Sequence, residues 1–122
     1  MPSGSGCGAL VSALLFLSAA AALARPMHVM NSTPAAHAII HGRNAQYIVR
    51  FDGPIDHERS RLEIVHNGQV IESLHPLLNS AVDVLAASAP ALQPGRYQLH
   101  WLVRSVDGRN VSDGMIPFAV AQ

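Results

Sequence analysis

The stretch Tyr97-Gln98-Leu99-His100-Trp101-Leu102-Val103-Arg104-Ser105-Val106-Asp107-Gly108 decides the fold. Tyr97, Leu99, Trp101 and Val103 alternate with Gln98, His100 and Arg104. A period of two marks a strand with one buried face, because successive side chains leave the pleat on opposite sides. The strand is entered through the turn Leu92-Gln93-Pro94-Gly95 and left at Asp107-Gly108, both made of residues that turns select. Asp107 therefore stands at a strand end, where a carboxylate can reach a ligand. His100 faces away from Trp101, beside Gln98 and Arg104, and reads as a solvated residue of the sheet face.

The same pattern spreads in both directions. Residues 45–51 alternate, with Tyr47, Val49 and Phe51 on one face, and end at Asp52-Gly53-Pro54. Leu62, Ile64 and His66 share a face before Asn67-Gly68, a strong hairpin signal, and Val70-Ile71 continues beyond it. Residues 28–32, 82–86 and 115–120 are further strands, the last opening after an Asp113-Gly114 turn. No segment of ten or more residues past Arg25 carries a helical stripe. Short strands at regular spacing predict an all-β, antiparallel β-sandwich.

Residues 9–24 are almost wholly apolar and end Ala22-Leu23-Ala24, the small-x-small pattern that signal peptidase needs. About 16 apolar residues fall short of the roughly 20 that span a bilayer. The expected organisation is a signal peptide over 1–24 and one domain over 25–122. Cys7, the single cysteine, leaves with the leader, so the exported domain has no disulfide and no thiol nucleophile. Formal net charge is zero and the eight basic residues are scattered arginines, which gives no footprint for nucleic acid. Seven histidines, all downstream of Arg25, are the unusual count.

Three blocks resemble the CopC family of periplasmic copper-binding proteins. The first is His28-Val29-Met30-Asn31-Ser32-Thr33-Pro34-Ala35, similar to the family's His-rich opening and its small-polar-Pro-Ala turn. The second, Tyr47 to Ile55 with Phe51-Asp52-Gly53-Pro54, is like the family strand "hydrophobic-x-Phe-Ser-x-Pro-Val". The third runs from Leu92-Gln93-Pro94-Gly95-Arg96-Tyr97 through Trp101 and Ser105-Val106-Asp107-Gly108 to Gly114 and Phe118. It resembles the family's closing signature, "Leu-x-Pro-Gly-x-Tyr…Trp…Ser-x-Asp-Gly-His…Gly…Phe". The resemblance implies an immunoglobulin-like Greek-key sandwich of about seven strands. It also implies a non-catalytic periplasmic role in copper resistance or homeostasis, beside a CopD-type inner-membrane protein.

The family's Cu(II) site uses an N-terminal His with its amine, and the Asp and His of the Asp-Gly-His turn. Here the Asp is Asp107, but Arg109 takes the His position and Pro26 that of the first His; His28 matches a second His where members have one. Arginine cannot lose its proton to become a ligand, and proline has no amide proton to lose. The resemblance therefore implies a degraded Cu(II) centre. The metal candidates are His28 and Asp107, with Met27 and Met30 as thioethers suited to Cu(I).

Each candidate has a structural alternative. Met30 or Val29 packs in the core with His28 on the surface; on a strand His28 and Met30 share a face and Met27 lies opposite. Asp107 caps local backbone NH groups and forms an exposed ion pair with Arg109, worth under about 1 kcal/mol. His37 and His41 on a strand stand roughly 13 Å apart, too far for one ion, and His66 beside its turn reads as structural. No serine elbow, phosphate-binding loop or metalloprotease helix is present, so the chain is expected not to be an enzyme. The alternative to a copper carrier is a metal-free interaction module that partners a membrane copper transporter or another envelope protein.

Overall fold

Eight strands follow one another: β1 (Val29–Thr33), β2 (Ala38–His41), β3 (Ala45–Phe51), β4 (Arg61–His66), β5 (Gln69–Leu74), β6 (Val84–Ala89), β7 (Gly95–Arg104) and β8 (Val111–Ala121). This is a computed structural model that describes residues 26–41 and 44–122. The expected leader over 1–24, Cys7 and Arg25 lie outside the described residues. The strands form a three-stranded sheet, β1-β3-β6, and a five-stranded sheet, β2-β8-β7-β4-β5. All neighbours are antiparallel except β2 and β8. The only helical turn among the described residues is a single 3₁₀ turn, His57–Arg59. The expected sandwich of two stacked sheets is what forms.

Alternation explains why the sheets stack. Tyr47, Val49 and Phe51 of β3 and Leu85 and Ala87 of β6 face Leu62 and Ile64 of β4, Leu99, Trp101 and Val103 of β7, and Phe118 of β8. Each such Val, Leu, Ile or Phe contributes about 1.5–3 kcal/mol relative to exposure. Aromatic rings lock the layers together: Phe51 meets Trp101 edge-on at 5.1 Å, and Tyr47 meets Phe118 at 5.7 Å. The Tyr97 hydroxyl donates to the Gln93 carbonyl at 2.6 Å, the back-reaching bond of a tyrosine corner in immunoglobulin-like sandwiches. Asn67 and Gly68, at φ 52° and 80°, make the left-handed two-residue turn joining β4 to β5, as their sequence predicts.

The structure corrects two expectations. Asp113-Gly114 is no turn: both lie inside β8, opposite Leu102 and Trp101. The glycine is there because the Trp101 indole fills the space of a side chain, with Cζ2 only 2.5 Å from where a Cβ would stand. Strand β6 begins at Val84 rather than Val82, which is exposed in the preceding loop. The short β2 has no signal of its own, since its order comes from parallel pairing with β8.

Candidate metal centre

The chain enters the sandwich beside the β7–β8 turn. The Met27 amide donates to Ser112 Oγ at 2.9 Å, and the Met27 side chain is buried over Gly53. Strand alternation then turns His28 and Met30 outward and Val29 toward the core. Met27 and His28 thus present their ligand atoms to opposite sides, and Met30 is exposed.

His28 is engaged with a residue that the sequence did not nominate. Its amide donates to Asp52 Oδ1 at 3.0 Å, and its Nδ1 stands 3.1 Å from Asp52 Oδ2. In return the Asp52 amide donates to the His28 carbonyl at 3.0 Å. The amide bond from His28, then its imidazole, hold the Asp52 carboxyl below the usual carboxylate range. With Nδ1–H committed to Asp52, Nε2 carries the free lone pair, and the ring is 69 % exposed. A carboxylate behind a histidine in this way fixes the tautomer of metal-ligating imidazoles. Only the pairing of Val29 with Phe51 brings the two residues together, so no local motif announces Asp52.

Asp107 lies at the same end of the sandwich. The segment after Asp52 reaches Ile55, which bridges to Ser105 two residues before Asp107. The Asp107 Oδ1 accepts from the Ser105 hydroxyl at 2.6 Å and from the Arg109 amide at 3.0 Å. The Ser105 bond foremost, then the Arg109 amide, lower its pKa, and the Arg109 charge adds to this. The capping role expected of Asp107 is thus present. The expected ion pair is not: among the described residues the Arg109 guanidinium makes no ion pair with the Asp107 carboxylate within 4 Å, and Arg109 acts through its amide and its field. No contact joins Asp107 to His28 directly, and among the described residues no three His, Cys, Asp or Glu side chains form a ready metal set.

Three of the other histidines, His57, His66 and His100, have structural partners. His66 Nδ1 donates to the Arg96 carbonyl at 2.9 Å, with its ring 4.8 Å from Tyr97. His57 Nε2 reaches the carbonyls of Ala81 and Val84 at 3.1 and 2.8 Å. His100 departs from its expectation: it faces outward but is only 19 % exposed, held between Glu63 and Asp113. The cause is sheet register, which sets Glu63 of β4 directly opposite it.

The CopC domain family matches residues 29–121. Among solved structures, CopC from Methylosinus trichosporium OB3b superposes with a TM-score of 0.68 at 23 % identity, covering 77 % of this chain and 92 % of that one. PcoC, a copper resistance protein from Escherichia coli, gives 0.57 at 14 % identity, covering 77 % and 99 %. No curated protein matches the chain. At these identities the structures speak for the fold alone, while the family match extends from the first strand to the last. The chain belongs to the CopC family.

Proposed function

We propose that this protein is a periplasmic copper carrier that binds the ion reversibly, without turnover, where the segment leading into β1 meets the β7–β8 turn. The observation that carries this reading is the His28–Asp52 pair, an exposed imidazole with its second nitrogen free and a carboxylate fixing its tautomer. Asp107, at the same end of the sandwich, supplies an oxygen. Nitrogen and oxygen donors suit Cu(II). The Met30 thioether shares the His28 face and suits Cu(I). Met27 joins only if its side chain leaves the core, which makes it a ligand of an opened terminus. Export by a cleaved leader and a CopD-type membrane partner belong to the same reading and rest on the family.

A second reading has its own support: a sandwich that has lost the metal and serves as an interaction module. Arg109 and Pro26 stand where the family pattern has histidines, and the Asp107 carboxylate is engaged by its own turn. Titration of the exported protein with Cu(II), then with Cu(I) under reducing conditions, separates the two. The carrier predicts binding tighter than about 1 μM that weakens in His28→Ala and Asp107→Asn. Weaker binding of both ions, unchanged by His28→Ala, leaves the interaction module.

A further inference from the structure

We propose that His100 and Asp113 bind a borderline divalent cation on the outer face of the five-stranded sheet, with Glu63 orienting the imidazole. The site is separate from the His28 centre. Register builds it: Glu63 of β4, His100 of β7 and Met115 of β8 form one row across three strands, with Asp113 two residues before Met115 on the same face.

The two sides of the ring are unlike. On one, Glu63 Oε1 lies 2.9 Å from Nδ1, and both side chains are only 19 % exposed. On the other, Asp113 Oδ2 lies 3.0 Å from Nε2, and Asp113 is 63 % exposed. The inner carboxylate is thus a fixed acceptor for Nδ1–H, the arrangement that aims Nε2 at a metal. The outer carboxylate is free to pivot.

The outer separation suits a shared ion. Two donors at about 2.0–2.1 Å from one metal stand about 2.9 Å apart at a right angle and about 3.3 Å apart at the tetrahedral angle. The observed 3.0 Å falls in that interval, and an ion on the Nε2 lone-pair axis is accommodated when the exposed Asp113 carboxylate swings aside by about 2 Å. Binding replaces the Nε2 proton, which leaves to solvent. The half-exposed Met115 adds a thioether on the same face, and water completes the shell. Nitrogen, carboxylate and thioether donors together select Zn²⁺ or Cu²⁺ over Mg²⁺ or Ca²⁺.

The test uses the intact chain carrying His28→Ala and Asp107→Asn, so that failure of the proposed carrier site cannot decide the result. Zn²⁺ and Cu²⁺ are titrated separately, with isothermal calorimetry for both ions and imidazole ¹H–¹⁵N spectra for Zn²⁺. The expected result is saturable binding that moves the His100 ring signals, weakened at least tenfold by Asp113→Asn. Glu63→Gln, which touches no ion, weakens it about 10–100-fold. Thermal melts of both variants confirm the fold, and exposed Asp113 is the safer substitution. His100 signals indifferent to Zn²⁺ with no heat from either ion, or Asp113→Asn binding as tightly as its parent, would overturn the proposal.

Discussion

Gly114 lies flat against the indole of Trp101, so that a Cβ added there would meet Cζ2 at 2.5 Å and Cε2 at 2.8 Å. Trp101 is itself pinned from the other sheet by Phe51, so the ring has little room to retreat. Gly114→Ala is therefore an overpacking change in the sandwich interior, of the kind that costs about 1–3 kcal/mol. The expected outcome is a fall in Tm of about 4–8 °C per kcal/mol, read by circular dichroism. A variant melting with the parent would show that the indole moves freely.

That contact also marks where sequence reasoning stops. Strand faces were legible because alternation is local: Tyr47, Val49 and Phe51, and Tyr97, Leu99, Trp101 and Val103, all point inward as their period requires. Register was not, since it depends on which residue of one strand meets which of another. Asp113-Gly114 has the composition of a turn, and only the pairing of Gly114 with Trp101 explains a glycine inside β8. The same limit hid both carboxylate–histidine pairs. Asp52 meets His28 across β1 and β3, and Glu63 meets His100 across β4 and β7. Asp107 is legible because the Asp-Gly turn and the strand before it are contiguous.

Tyr97→Phe tests the corner that anchors β7. The phenol is buried against Phe118 and His66, and its hydroxyl donates to Gln93 at 2.6 Å. Removing the oxygen keeps the ring packing and deletes one hydrogen bond, at a cost of about 1 kcal/mol. Urea unfolding would register this as a lower midpoint with an unchanged slope. An unchanged midpoint would mean that the Gln93 carbonyl is equally well served by water.

Asp52→Asn probes the support behind His28. An amide can still accept from the His28 backbone, but its hold on the imidazole is weaker and carries no charge. The pair is exposed, so stability is expected to change little. Copper affinity, by contrast, is expected to fall about 10–100-fold, as for other carboxylates behind ligating histidines. Competition titration against a chromophoric chelator measures it. Equal affinities in parent and variant would remove His28 Nε2 from the copper site.

Arg109→His restores the family pattern at the turn and is expected to tighten Cu(II) binding at least tenfold. The backbone is already arranged for it. The residue-109 amide donates to Asp107 Oδ1, and Gly108 takes the left-handed conformation at φ 75° that closes the turn. The substitution therefore leaves the loop unchanged while exchanging a permanently charged guanidinium for an imidazole that can donate a lone pair. It also removes a positive charge from beside a site meant for a dication, which favours binding at any geometry. A gain in Arg109→Ala as large as in Arg109→His would assign the effect to charge alone. A gain confined to histidine would identify a new ligand, and its loss on adding Asp107→Asn would place Asp107 in the same coordination sphere. No gain in either variant would remove this turn from copper binding and leave the ion to the His28 strand.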